Sequence, residues 1–187
     1  MNHKENDYVL PGEILCSYEE YIPSEWTYVD EGYIKASING RIIIDDDEKT
    51  ISISSVNAPN SLKVDDYVIG HITEVKQNKV LVTIKMIKGS NRELITGYKG
   101  FIHISKANED FVSSIHDLFK IGDIVEAKVV NIYGTEYIDL STIEKETGVI
   151  KAMCVDCRKF MKLENNKLVC ECGKVDSRNI SSNYGGF

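Results

Sequence analysis

The run "DYVIGHITEVKQNKVLVTIKMI", residues 66–87, alternates apolar and polar side chains through stretches of ten and nine residues joined by Lys76-Gln77-Asn78. A period of two puts every second side chain on one face, so the run predicts two strands. Downstream, "GFIHIS" (100–105) reads as a short strand and "SSIHDLF" (113–119) as a single helical turn. "IGDIVEAKVVNI" (121–132) and "EYIDLST" (136–142) supply two more strands. Five strands with one short helix between the third and fourth predict a closed five-stranded barrel of the OB type. Gly100 and Gly122 fall at strand starts, where barrels turn corners.

Outward from this barrel, charge divides the chain. Residues 1–61 carry 4 basic and 12 acidic side chains, net −8, residues 62–148 are at −2, and residues 149–187 are at +3, within a total of −7 over 187 residues. That total argues against non-specific nucleic-acid binding by the chain as a whole, and the gradient predicts units with different partners. No apolar run approaches the roughly 20 residues of a membrane helix. The start "MNHKENDYVL" has no apolar core of a secretory signal, so no membrane association and a cytoplasmic, thiol-reducing location are expected.

The C-terminal segment concentrates the cysteines. In "MCVDCRKFMKLENNKLVCECGK" (153–174), Cys154 and Cys157 are two residues apart and Cys170 and Cys172 one apart, with twelve residues between the pairs. Two disulfides, or four unrelated thiols, would fit the count. A reducing compartment and two close thiolate pairs joined by a hairpin favour one tetrahedral zinc ion, which four thiolates would close to catalysis. The intervening "RKFMKLENNKLV" predicts two strands around an Asn165-Asn166 turn, the pattern of a zinc ribbon with a shortened second pair. Such a small segment needs a staple, because it cannot bury a core of its own. Cys16, among apolar neighbours, is expected to be a buried small hydrophobe.

The first sixty residues predict a small β-domain. "TYVDEGYIKASINGRIIIDDDEKTISIS" (27–54) contains three strands, with Asn39-Gly40 as a two-residue hairpin turn. The run Asp45-Asp46-Asp47-Glu48 is read as a charged turn rather than a metal site, since adjacent turn carboxylates diverge. "SVNAPNSLK" (55–63) is the expected linker. The domain plan is then 1–58, 62–146 and 149–182, with a flexible tail at 183–187.

A nucleic-acid face is predicted on the barrel. Lys85, Lys88, Arg92, Lys99 and Lys106 face only Glu93 over residues 85–106, and Tyr98, Phe101 and His103 are interleaved with them. A mixture of basic and aromatic groups suits a single-stranded nucleic-acid groove. His71 and His116 carry no such pattern and are assigned to structure.

Residues 62–141 resemble the S1 RNA-binding domain through "LKVDDYVIGHITEV", "GFIHIS", "FKIGDIVEAKVVNI" and "IDLS". The resemblance implies binding of single-stranded RNA on one barrel face. Phe101 and His103 match the family's aromatic and histidine. The aromatics of the family's second strand are missing here. Tyr133 and Tyr137 stand where the family often carries an acidic and a basic residue, so they can stack on bases while a phosphate contact is lost.

Taken with "PGE" (11–13), the segment "YVDEGYIKASING" (28–40) and the terminal ribbon, residues 8–182 resemble the RNA-binding cap subunit of the archaeal exosome. That resemblance implies a non-catalytic protein, not an enzyme. Three cap subunits would sit on a ring of phosphorolytic RNase PH-like subunits, docked through the acidic N-terminal domain and accompanied by other cap subunits. The barrels would guide the RNA 3′ end inward for 3′-to-5′ degradation and processing. The ribbon would lie at the outer edge, open to further exosome-associated proteins. Two other readings compete: a nuclease acting alone, for which no nucleophile–base–orienter set is found, and a translation or transcription factor pairing an OB barrel with a zinc ribbon.

Overall fold

The computed structural model describes residues 4–56, 58–59, 61–90, 94, 97–110, 112–134, 137–165 and 167–186. The chain forms two compact units, Met1–Pro59 and Asn60–Phe187, with their boundary inside the 55–63 segment. The elements described are almost all strands, and among the described residues no helix is long and apolar enough to cross a membrane.

The first unit holds β1 (Tyr8–Val9), β2 (Ile14–Ser17), β3 (Ile22–Pro23), β4 (Thr27–Asp30), β5 (Tyr33–Ala36), β6 (Gly40–Asp45) and β7 (Thr50–Ser54). They make two small sheets, β1-β6-β7-β3 and β2-β5-β4. Alternation decides which side chains go inward: Ile42 on β6 and Ile51 and Ile53 on β7 join Val9, Leu15, Ile34, Ala36 and Cys16 in one core. Burial of Cys16 pushes its thiol above the ordinary range, so it behaves as the small hydrophobe expected.

Two details depart from the sequence reading. Four strands, not three, lie within residues 27–54. The tight turn is Glu31-Gly32, with φ of +50° and +82°, between Asp30 and its cross-strand partner Tyr33. Asn39-Gly40 makes no hairpin. Gly40 instead opens β6, where any Cβ would run into the Ser54 carbonyl on β7. The carboxylate run does form a turn: Asp45 accepts the amides of Asp47 and Glu48, both at 3.0 Å, while Asp46 accepts from the Tyr21 hydroxyl at 3.0 Å.

The second unit contains the barrel: β8 (Tyr67–Val75), β9 (Lys79–Ile87), β10 (Lys99–His103), β11 (Ile124–Ile132) and β12 (Ile138–Ser141). The order β12-β10-β9-β8-β11 closes on itself through a β11–β12 pairing. β10 and β12 run parallel, Gly100 opposite Ile138 and Ile102 opposite Leu140. Inward alternates, among them Ile72, Val80, Val82, Ile84, Ile102, Val125, Val129, Ile138 and Leu140, fill the interior with Ile115 and Phe119 from the expected helical turn.

β13 (Gly148–Lys151) adds to β11 outside the closed ring, followed by β14 (Lys162–Glu164), β15 (Lys167–Val169) and β16 (Val175–Asp176). The last three form the ribbon sheet, whose third strand the sequence pattern did not signal. Asn165 takes φ +48° in the turn between β14 and β15, and Asn166 lies outside the described residues.

The segments expected as barrel, 62–146, and ribbon, 149–182, lie within one compact unit and share a core. Val149, Ala152, Cys154, Met161, Leu168 and Cys170 belong to the same apolar cluster as the barrel interior. A few short strands bury too little surface to stand alone, so the ribbon completes the barrel's core.

The tail expected to be flexible is tied down as well. The Tyr184 hydroxyl donates to Met161 O (2.7 Å) and accepts from the Ala152 amide (3.2 Å), and Gly185 N–H bonds Ile150 O at 3.0 Å. Phe187 lies outside the described residues.

Barrel and ribbon are also joined by a buried ion pair. Asp123, just before β11, meets Arg178, just after β16, at 2.7 Å, with both side chains fully buried. Asp123 further accepts the amides of Met153 (2.8 Å) and Lys120 (2.9 Å), and Arg178 reaches Asp176 at 2.8 Å. Burial pushes the Asp123 carboxyl above its ordinary range, with the Arg178 guanidinium and the two amides opposing.

Gly148 lets the C-terminal segment cross here. It has φ +124°, and a Cβ would lie 2.6 Å from the Asn179 carbonyl, which accepts the Val149 amide at 2.7 Å. Gly148→Ala is therefore expected to cost at least about 1–3 kcal/mol of stability, the range for strained backbone, measured by denaturant unfolding. Gly12→Ala also meets a positive φ but no neighbour within 4 Å, so it should cost less.

Candidate nucleic-acid interface and metal centre

Alternation on β10 sends Gly100 and Ile102 inward and leaves Lys99, Phe101 and His103 outward. Parallel pairing sets Asp139 of β12 beside Phe101, and Tyr137 precedes it on the same face. The Phe101 and Tyr137 rings have centroids 4.8 Å apart, and Tyr137 and Tyr133 rings 5.6 Å apart. Tyr133 and Tyr137 are 65% and 53% exposed, too open to be core. With His103, Ser105, Lys106 and Asp139 these rings line a cleft of about 320 Å³. His103 Nδ1 lies 2.8 Å from Ser105 Oγ and 3.3 Å from the Ser105 amide, which fixes the ring at the edge of the cleft.

Lys79 was not among the expected residues. Register places it opposite His103, with its ammonium 5.5 Å from the Phe101 ring centre. The outward alternates of β9 carried the signal for it, but only the pairing with β10 brings it over the Phe101 ring.

The other expected residues do not all gather here. Lys99 shares the outward face of Phe101, and Lys106 lies 3.5 Å from Asp139. Tyr98 is partly buried against the barrel core. Lys88 sits past the opposite end of β9, 2.5 Å from the buried carboxylate of Glu126 and over the Tyr67 ring. Arg92 lies outside the described residues.

The four cysteines converge. Sγ of Cys154 is 3.7 Å from that of Cys172, Sγ of Cys157 is 3.3 Å from that of Cys170, and all four sulfurs lie within 4.8 Å of one another. A tetrahedral ion with metal–sulfur bonds of ~2.3 Å requires sulfurs roughly 3.8 Å apart, whereas a disulfide requires about 2.05 Å. The four are free thiols, and their spacing fits a metal ion.

Each pair sits on a tight turn. Arg158 N–H closes on Cys154 O at 3.0 Å with φ +62°, and Gly173 N–H closes on Cys170 O at 2.9 Å with φ +87°. The turns aim backbone amides at sulfur, and those of Cys157 and Asp156 lower the Cys154 thiol to about 7. Cys170 and Cys172, with one residue between them, reach the common centre through their own turn, so the shortened pair does not pull the cluster apart.

An OB-type barrel with an aromatic outer cleft, preceded by a small β-unit and packed against four convergent cysteines, is an architecture that nucleic-acid-binding proteins use. Known proteins agree. Residues 8–45 match the family described as the exosome complex exonuclease RRP4 N-terminal region. The exosome complex component Csl4 of Archaeoglobus fulgidus is 32% identical over 179 residues, covering 95% of this chain and 97% of that protein. Human exosome complex component CSL4 is 29% identical over 153 residues, covering 78% of this chain and 77% of that one. The exosome component Rrp4 of Methanopyrus kandleri is 26% identical over 142 residues, 74% and 54% of the respective chains. The chain belongs to the Csl4 family of exosome components.

Proposed function

We propose that this protein is a non-catalytic, RNA-binding cap subunit of an exosome. Its acidic N-terminal unit docks on RNase PH-like ring subunits beside other cap subunits, where charge complementarity favours correct encounter. The outer barrel face holds single-stranded RNA and passes its 3′ end to the ring for degradation and processing in the cytoplasm. The metal is zinc, since four thiolates and no oxygen or nitrogen ligand suit that ion. Once bound, it supplies no chemistry beyond holding the ribbon, which stays open to further exosome-associated proteins.

The observation that carries the RNA reading is the outward row of Phe101, Tyr137 and Tyr133, bordered by Lys79, His103 and Lys106, in a chain of exosome kinship. The rings offer stacking surfaces and the ammonium groups offer phosphate contacts.

Stacking is worth about 1–3 kcal/mol per base, so Phe101→Ala or Tyr137→Ala should weaken binding of a 12-nucleotide single-stranded RNA roughly 5- to 150-fold. Fluorescence anisotropy across a salt series separates the two kinds of contact. The aromatic variants should keep the wild-type salt slope, and Lys79→Ala should reduce it by about one. Unchanged affinity in both aromatic variants would place RNA elsewhere on the molecule.

A further inference from the structure

We infer that Asp139, aided by Lys106, reads the edge of a base stacked in the cleft and that the base it favours is guanine. The inference rests on the RNA reading above and goes a step further, to the choice of base.

The Asp139 carboxylate, 16% exposed, stands in the aromatic surface with the Lys106 ammonium as its ion-pair partner at 3.5 Å. Asp139 lies directly beside Phe101 across the β10–β12 pairing and two residues from Tyr137, in the middle of the stacking surface. A negative charge there repels a passing phosphate chain unless it accepts hydrogen bonds from the nucleotide itself.

Nor do its protein contacts fully occupy it. Oδ2 is 3.4 Å from Asn131 Nδ2 and 3.5 Å from Lys106 Nζ, both beyond the usual hydrogen-bond length. Oδ1 has no partner among the described residues. Asp123 is the contrast within the same barrel: three contacts of 2.7–2.9 Å hold that carboxylate, and no solvent reaches it.

A stacked base presents its Watson–Crick edge sideways, toward the groups beside the rings. Guanine offers two adjacent donors, N1–H and N2–H₂, which match the two oxygens of one carboxylate in a bidentate pair. Its neighbouring O6 is an acceptor, and the Lys106 ammonium beside Asp139 is a donor. Adenine and cytosine set one donor next to an acceptor lone pair, and uracil sets one N–H between two carbonyls. On those edges the second carboxylate oxygen faces a lone pair, so a site built around Asp139 rejects them.

The test uses the full chain, metal-loaded, and four labelled 12-mers at one low salt concentration: (AAG)₄, (AAI)₄ with inosine, (AAU)₄ and A₁₂. Inosine keeps N1–H and O6 and lacks only the 2-amino group. A good bidentate pair discriminates by about 1–3 kcal/mol, so (AAG)₄ should bind roughly 5- to 150-fold tighter than (AAU)₄, with (AAI)₄ in between. Asp139→Asn should bring (AAG)₄ within about twofold of (AAU)₄ while binding of A₁₂ holds or tightens. Phe101→Ala should weaken all four together.

If wild type binds the four within twofold, and Phe101→Ala still weakens them, the guanine inference falls and the RNA face stands. If no oligonucleotide responds to Phe101→Ala, both fall.

Discussion

Stripping the metal from the four-cysteine centre, with a strong chelator or by Cys170→Ser, is expected to unfold residues 153–176 and loosen the barrel beside them. The ribbon sheet consists of strands of three, three and two residues, far below what stands alone in water. Its buried side chains are few, and two of them, Cys154 and Cys170, belong to the four-cysteine cluster itself. Structural zinc contributes about 10–16 kcal/mol in small zinc-dependent peptides, and no other element of the ribbon approaches that. Met161 and Leu168 would lose their ordered positions against the barrel, so the melting midpoint of the whole second unit should fall. Hydrogen exchange followed by mass spectrometry reads both effects. Protection should vanish across 153–176 and persist, weakened, along β8 to β12. Unchanged protection of the ribbon in metal-free protein would contradict the assignment.

The second large effect belongs to the buried ion pair. Asp123→Ala leaves the Arg178 guanidinium buried with one of its two carboxylate partners gone, Asp176 remaining at 2.8 Å, and also abandons the amides of Met153 and Lys120. Removing one member of a buried pair costs about 3–5 kcal/mol, which for a protein of this size lowers the melting midpoint by roughly 6–20 °C. Arg178 is already imperfectly satisfied, since its Nη2 has no hydrogen-bond partner among the described residues. The double variant Asp123→Leu/Arg178→Met should therefore recover most of the loss, because it removes two desolvated charges together. Thermal and denaturant unfolding of the three proteins decides the point. Asp123→Ala within about 1 kcal/mol of wild type would show that the pair does not hold ribbon to barrel.

What could be read from the sequence was what local chemistry dictates. The alternation of residues 66–87 and the helical turn before Asp123 specify a barrel because inside and outside differ at every second residue. The cysteine pairs specify a four-sulfur cluster that can hold a metal because two tight turns bring their sulfurs together. What escaped depended on which distant segment pairs with which. Glu31-Gly32 and Asn39-Gly40 both suit a tight turn, and pairing of β6 with β7 and β1 decides that only the first makes one. Lys88 belongs to the basic stretch in sequence, but closure of the barrel delivers it to Glu126. Lys79, outside that stretch, arrives over Phe101 through antiparallel register. The polar C-terminal tail reads as loose until Tyr184 is seen bonded to Ala152 and Met161. β16 is two residues long and carries no alternation to detect.

Recovery of its partners is what decides whether this chain works as part of an exosome. The full chain, used as bait in extract from its native cell, should bring down RNase PH-like ring subunits, identified by mass spectrometry. Salt should weaken that capture if the acidic N-terminal unit makes the contact. Recovery of ribosomal or polymerase subunits without the ring would contradict the account and leave an RNA-binding barrel with a metal clip in a different assembly.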